Sequence, residues 1–334
     1  MYDHYIAVDW AQANMAVARL TKQSKVPEVR DVPSNIRDLK DYLASLRGTK
    51  ILTLEETTTA HWLYVELKEL VDEILICDPY RNKLLSYGAK TDRIDASKLV
   101  TLLRSDLLKP VFHSCDELIN LRKLVSSYDD LIKRGVRLKN QRSSIFRGIG
   151  LKSNENMPKE NVVETFVLTN IDIAIQAYES ERKTYENEFE KHLKKSSMLR
   201  WLKQIPGIGL IGAVKLGAAV VDGARFPDDH HFHSYCGLVR LDMLSGGKSY
   251  GTRNPRYRRD LKSVLKTAAL AAITHQNEFE KYYRYLIEIR RYPDHQARHA
   301  VARKIATAVY GVMKNKKKYN PDQIGVLGHI KNRS

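Results

Sequence analysis

The sequence predicts an α/β domain at the N-terminus, then a long helical arm, then a second helical domain. Three observations predict this order. Short strand-like runs lie in the N-terminal third, apolar residues at helical spacing dominate after residue 116, and a glycine-rich turn at residues 205–209 interrupts the last helices. We therefore divide the chain into residues 1–110, 111–198 and 199–334.

The N-terminal domain begins with strand patterns at residues 5–10 and 15–20, which the segment 11–14 joins as a hairpin. Ser34 then predicts the N-cap of a helix that reaches about residue 46. The next elements alternate: a strand at 50–56, a helix at 60–70 and a strand at 73–78. Two antiparallel strands followed by such alternation are typical of a mixed sheet with helices packed on it.

The predicted arm consists of two long helices. Apolar residues between 116 and 147 step mostly by three or four, and a second helical stretch runs from about 162 to 195. Two helices without a core of their own favour an antiparallel hairpin or a coiled-coil dimerisation arm. One side of a monomeric helical bundle is an almost equal alternative.

The charge balance predicts a polyanionic partner. The chain carries 56 Lys and Arg against 39 Asp and Glu, a net charge of +17. Because basic side chains on phosphates release condensed counterions, nucleic acid is the first expectation. The longest apolar stretches, 216–221 and 268–273, are too short to span a bilayer, and Asp3, His4 and Asp9 interrupt any signal-peptide core. We expect a cytoplasmic protein without a membrane partner.

The cysteines and histidines offer no strong metal motif. Cys77, Cys115 and Cys236 are widely spaced, which suits neither a disulfide framework nor a zinc knuckle. The cluster at residues 229–236 has no second ligand pair at zinc-finger distance. His295 and Arg298 imitate part of a tyrosine-recombinase motif, but residues 297–314 have the spacing of a core helix, which is the better interpretation.

Acidic residues near strand ends are candidate metal ligands. Asp9 ends the first strand, where a RNase-H-like sheet carries its first metal-binding carboxylate, although a single acid there is more often a surface residue. Glu55 and Glu56 end the next predicted strand of the alternation, and at most one of them can face Asp9.

Two further acids follow a predicted helix cap. Thr91 can cap a helix that places Asp92 and Asp95 on one face, although acids also favour a helix N-terminus through the macrodipole. Together these carboxylates would supply the oxygen ligands that suit Mg²⁺, with Mn²⁺ as a substitute.

The C-terminal part contains two candidate phosphate contacts. Gly207 and Gly209 lie in a turn that resembles the hairpin of a helix-hairpin-helix, with a plain helix–helix turn equally weighted. Ser245 precedes two glycines in a basic loop at 244–255, so it suits a phosphate ligand or a nucleophile, and the residues alone favour the ligand. The basic residues that we assign to nucleic-acid binding are Lys248, Arg253, Arg256, Arg258 and Arg259.

Taken together, these segments resemble the insertion sequence 110 family of transposases, including the Piv-like DNA invertases. Residues 6–9 look like its opening strand, and residues 56–62 are similar to its second block. Residues 90–96, Lys-Thr-Asp-Arg-Ile-Asp-Ala, look like its most specific motif. The resemblance covers nearly the whole chain. Departures are Thr59, where the family usually has Gly, and residues 254–257, which replace the usual Lys-x-Gly-Asn.

That resemblance implies a RuvC-like N-terminal domain whose metal site is Asp9, Glu56, Asp92 and Asp95. It implies that Ser245 is a nucleophile that becomes covalently joined to DNA. It also implies a set of partners: the DNA of the element ends and of the target, a structured bridge RNA, and further copies of the chain in a dimer or tetramer. The location that it implies is the cytoplasm of a prokaryotic cell, in association with the nucleoid.

Two other functions stay open at this point. One is a metal-dependent nuclease, junction-resolving or site-specific, in which water attacks and Ser245 only contacts phosphate. The other is a non-catalytic nucleic-acid-binding protein.

Overall fold

A computed structural model of the chain describes residues 1–79, 91–114, 117–156 and 161–324, without the side chains of 323 and 324. Lys90 and Cys115 lie outside the described residues. The chain divides into two compact units, Met1–Cys115 and Asp116–Ser334. The helical arm is therefore part of the second unit, and its treatment as a separate domain stays a prediction.

The first unit contains a mixed sheet, as expected. Its order in the described part is β3-β2-β1-β4-β5, with β1 antiparallel to β2 and parallel to β4, and β4 parallel to β5. The strands are β1 His4–Trp10, β2 Asn14–Thr21, β3 Glu28–Pro33, β4 Lys50–Glu55 and β5 Glu73–Cys77. Strand β3 was not predicted, because it is a charged and largely exposed edge strand without clear apolar alternation.

Helices cover both faces of this sheet: α1 Ile36–Ser45, α2 Ala60–Leu67 and α3 Asp92–Arg104. Ile6 and Val8 of β1 pack with α1 and α2, whereas Tyr5 and Ala7 pack with α3. The alternation of β1 thus separates two buried clusters. The cap of α1 is Asn35, whose Oδ1 accepts from the N–H of Arg37 at 2.9 Å, and not Ser34 as expected. The hydroxyl of Ser34 donates to the carbonyl of Ala11 instead.

The second unit is largely helical. Its helices are α4 Glu117–Gly148, α5 Val162–Lys195, α6 Ser197–Lys203, α7 Leu210–Val220, α8 Asp229–Tyr235, α9 Arg259–Ala272, α10 Glu278–Arg284 and α11 Asp294–Asn315. A π-helical turn, Tyr285–Ile289, continues α10, and short 3₁₀ turns lie at Gly223–Arg225 and Pro321–Ile324. Across its described residues, no helix is long and apolar enough to cross a membrane.

The two long helices of the arm run antiparallel. Ion pairs join Arg134 to Glu181 and Arg142 to Asp172, so later residues of α4 meet earlier residues of α5. The arm also packs at its base on α7, where Nε of Arg122 donates to the carbonyl of Ala218 at 3.0 Å. Its role in dimerisation stays a prediction.

A β-hairpin replaces the loop expected at residues 244–255. Strands β6 Leu241–Ser245 and β7 Lys248–Arg253 pair antiparallel, and Gly246 and Gly247 form the turn. Their φ angles of +56° and +76° are those of a turn with two left-handed residues, which suits a two-residue hairpin. Every residue of both strands is exposed, and β7, Lys-Ser-Tyr-Gly-Thr-Arg, has no apolar alternation that could have marked a hairpin in the sequence.

Candidate functional site

Three of the four predicted metal ligands belong to one acidic cluster. Asp9 is partly buried in β1, on the sheet face that α3 covers. The hydroxyl of Thr91 accepts from the N–H of Ile94 at 3.3 Å, which starts α3 and places Asp92 and Asp95 in its first turn. Burial raises the pKa of Asp9, and the negative charges of Asp92 and Asp95 raise it further.

Glu56 is positioned differently from these three acids. Its backbone N–H donates to the carbonyl of Cys77 at 2.9 Å just beyond the end of β4. Its Oε2 lies 2.5 Å from Nε2 of His113. Glu55 is the last residue of β4, and strand alternation puts it on the same face as Ile51, which packs in the α3 cluster. The strand pattern alone therefore favours Glu55 as the partner of Asp9, whereas the family motif favours Glu56.

His113 is a candidate site residue that the sequence analysis missed. Its side chain is 3% exposed, and its ring stacks on His61 of α2 at a centroid distance of 5.8 Å. The N–H of Val111 donates to the carbonyl of Ile76 at 2.7 Å, so the backbone just before His113 lies beside β5. Nδ1 of His113 is buried and has no hydrogen-bond partner in the described part of the chain. No motif marked this histidine, because its neighbours lack strand or helix spacing.

The donor set of the acidic cluster fits a hard divalent cation. Carboxylate oxygens are the ligands that Mg²⁺ prefers, and a cation would offset the repulsion that raises the pKa of Asp9. As the side chains stand, no three His, Cys, Asp or Glu side chains among the described residues are arranged to hold a metal ion. The cluster therefore has the required chemistry but not a completed coordination geometry.

Ser245 stands at an exposed position of the β6–β7 hairpin. It ends β6 and pairs across the turn with Lys248. A Cβ placed on Gly246 or Gly247 would meet nothing within 4 Å, so the space around the turn is open. An accessible hydroxyl beside a lysine and two unobstructed glycines can approach a phosphate closely.

The predicted basic contacts differ in their surroundings. Lys248 and Arg253 are exposed on β7, and Arg256 and Arg259 are exposed after it. The guanidinium of Arg258 instead donates to both carboxylate oxygens of Asp260, at 3.1 and 2.6 Å. Arg258 is thus already engaged within the protein.

The two predicted phosphate-contacting glycines also differ. Gly207 has a φ of +86°, and a Cβ on it would lie 2.1 Å from the carbonyl oxygen of Ala268 in α9. Its lack of a side chain therefore lets the turn pack against a helix. Gly209 is the N-cap of α7, and a Cβ there would meet nothing within 4 Å. The turn borders a cleft of 1030 Å³ that Lys215 and Arg259 also line.

Two family descriptions match this chain. Residues 6–150 match a family described as Transposase, of the Asp-Glu-Asp-Asp type of IS110, and residues 199–284 match the Transposase IS116/IS110/IS902 family. The first match contains the acidic cluster and Glu56, and the second contains the glycine turn and Ser245.

Two curated relatives are also proteins of insertion elements. The chain is 23% identical over 211 residues to the transposase for insertion sequence element IS1328 of Yersinia enterocolitica, covering 60% of this chain and 63% of that protein. It is 28% identical over 118 residues to an insertion element IS110 uncharacterized 43.6 kDa protein of Streptomyces coelicolor, covering 35% of this chain and 29% of that protein. The chain thus spans less than two thirds of the length of either relative.

Proposed function

Because the chain belongs to the IS110 family of transposases, we propose that it cleaves and rejoins DNA strands as a transposase or recombinase, with Ser245 as the nucleophile. The observation that carries this proposal is the position of Ser245, exposed beside a turn of two glycines in a hairpin with basic residues. Such a hydroxyl can reach a phosphate without steric obstruction.

The proposed step is a transesterification. Oγ of Ser245 attacks the phosphorus, and an ester bond forms between the serine oxygen and the phosphate. The bond from phosphorus to the oxygen of the leaving strand breaks, the serine proton passes to solvent, and the leaving oxygen becomes a hydroxyl. Rejoining is the reverse step with the hydroxyl of another strand, so the number of phosphodiester bonds is conserved.

The acidic cluster supports this chemistry as a proposed metal site. Asp9, Asp92 and Asp95 would hold Mg²⁺ or Mn²⁺ through carboxylate oxygens, with Glu56 as the fourth ligand. A divalent cation there would polarise the phosphodiester and stabilise the charge that develops on it. Burial and the negative charges of Asp92 and Asp95 raise the pKa of Asp9, which supports the assignment because it indicates that the three carboxylates lie close together.

The proposed partners are DNA, a structured bridge RNA and further copies of the chain. The net charge of +17 and the exposed Lys248 and Arg253 support nucleic-acid binding. Val162, Val163 and Phe166 are 70%, 71% and 70% exposed at the start of α5, which supports assembly through the arm into a dimer or tetramer.

A covalent adduct tests the proposal. Purified protein is incubated with Mg²⁺, labelled DNA carrying the element junction, and RNA transcribed from the sequence flanking its gene, and the products are separated on a denaturing gel. We expect a protein–DNA adduct with the parent chain and with Ser249→Ala, a matched control on the same hairpin. Ser245→Ala should give none.

Two results would contradict the proposal. Cut DNA without adduct, persisting in Ser245→Ala but lost in Asp95→Ala, would indicate a metal-dependent nuclease that uses water. Binding without any cleavage, unchanged by Mg²⁺, would indicate a non-catalytic nucleic-acid-binding protein.

A further inference from the structure

A second basic feature of the C-terminal unit lies outside the β6–β7 hairpin. It is a cleft of 770 Å³ between α9 and α11, which we call the α9–α11 cleft. Its lining residues are Lys262, Lys266, Leu270, Tyr292, His295, Gln296, Arg298, His299 and Arg303. No Asp or Glu is among the described residues that line it. A cleft with one sign of charge attracts and retains the opposite charge.

The helices arrange these cations in two rows. Lys262 and Lys266 are four residues apart on α9, and His295, His299 and Arg303 follow one another at the same spacing on α11. Residues four apart lie on one helix face, so each helix turns a basic row towards the cleft. The opposite face of α11 is buried, as the sequence predicted, with Val301 and Ile305 in the core.

Three of these cations are not neutralised by the protein. Lys262, Lys266 and Arg303 form no ion pair in the described part of the chain, whereas Arg298 pairs with Asp294 at 2.8 Å. Burial lowers the pKa of His299, and the charges of Arg303, Lys266 and Lys262 lower it further. These positive charges therefore repel one another across the cleft, and a bound anion would relieve that repulsion.

The cleft adjoins both ends of the serine hairpin. Nε2 of His299 donates to the carbonyl of Leu238 at 3.1 Å, three residues before β6 begins. After β7, the ring of Tyr257 lies 4.7 Å from the ammonium of Lys262. A DNA strand that has one phosphate bound at Ser245 can therefore continue along a basic surface into the cleft.

We propose that the α9–α11 cleft binds the phosphodiester backbone of the DNA strand that flanks the phosphate attacked by Ser245. This inference rests on the proposed function for the identity of the strand. The cations of Lys262, Lys266 and Arg303 contact consecutive phosphates, and the cleft sets the register in which the strand reaches the hairpin.

The test measures DNA binding apart from cleavage. All chains carry Ser245→Ala, so no adduct forms, and binding of a fluorescein-labelled junction duplex is followed by anisotropy at several salt concentrations. The cleft variant is Lys266→Ala with Arg303→Ala. The control variant is Lys25→Ala with Arg37→Ala, which also removes one lysine and one arginine, but from exposed positions of the first unit.

We expect the cleft variant to bind about tenfold more weakly. The slope of log K against log salt should fall by about 1.8, or ~0.9 for each phosphate that the variant no longer neutralises. The control should change affinity less than about twofold. The melting temperature of the cleft variant should stay equal or rise, because like charges are removed.

Equal affinity and slope for the cleft and control variants would overturn the proposal. So would a loss confined to a labelled RNA transcribed from the flanking sequence, which would assign the cleft to RNA. Neither result depends on whether Ser245 is a nucleophile. Failure of the adduct experiment with normal salt-dependent binding in the cleft would instead overturn only the proposed function and the identity of the strand.

Discussion

Oε2 of Glu56 lies 2.5 Å from Nε2 of His113, a histidine that is almost fully buried. The histidine is held by ring contacts with His61 and Tyr64, both on α2. The carboxylate of Glu56, just beyond the end of β4, is therefore oriented by a side chain from a distant part of the sequence.

His113→Ala should weaken the proposed metal site by about 10–100-fold, because partners that orient a ligand contribute that much to metal affinity or activity. His113→Gln keeps a donor near Glu56 and should restore part of the affinity. The readout is the Mn²⁺ concentration that gives half of the thermal stabilisation, together with DNA cleavage. Equal Mn²⁺ affinity in His113→Ala and the parent would show that His113 only packs.

Glu56→Gln and Glu55→Gln form a matched pair that decides which glutamate is the fourth ligand of the proposed metal site. The family motif assigns the role to Glu56, whereas the alternation of β4 puts Glu55 on the face of Asp9. We expect Glu56→Gln to reduce cleavage by at least about 100-fold, as expected when a metal ligand is removed, and Glu55→Gln to change it little. The reverse order in a cleavage time course would transfer the role to Glu55.

Gly207→Ala should destabilise the second unit by about 2–4 kcal/mol, because it forces a left-handed φ on alanine and brings its Cβ against a backbone carbonyl. Gly209→Ala is the matched control, since its Cβ meets nothing within 4 Å and only the cap is weakened, by about 1 kcal/mol. Urea unfolding of both variants measures the difference. Equal destabilisation of the two variants would mean that the approach to α9 contributes nothing.

His299 and His233 should make stability depend on pH. Burial lowers the pKa of each, so the native protein holds them neutral while the unfolded chain protonates them near their ordinary pKa of about 6.5. The unfolded state then binds more protons, and the free energy of unfolding should fall as the pH drops below about 6.5.

His299→Gln should reduce this pH dependence, measured by urea unfolding at about pH 7.5 and pH 5.5. His275→Gln, at an exposed position, is the control. An unchanged slope in His299→Gln would contradict the prediction, because it would show that His299 binds protons equally in the folded and unfolded states.

Most of the secondary structure could be predicted from the sequence. The strands of the sheet core, the cap at Thr91 and the two arm helices follow from local periodicity and cap chemistry, and all lie where expected. The exceptions, β3 and the β6–β7 hairpin, are exposed elements whose strand partners and not their own apolar pattern define them. Periodicity reports burial, so it is silent where nothing is buried.

The sequence by itself determined which residues are candidates for the chemistry: the acids at strand and helix ends, the serine before two glycines, and the excess of basic side chains. The tertiary structure decided their arrangement. It places Asp9 close to Asp92 and Asp95, and it places the carboxylate of Glu56 beside the imidazole of His113. It also pairs Arg258 with Asp260, and the basic face of a predicted core helix forms one wall of a cleft. These relationships join residues far apart in sequence, and only packing brings such residues within the few ångströms at which charges and hydrogen bonds act.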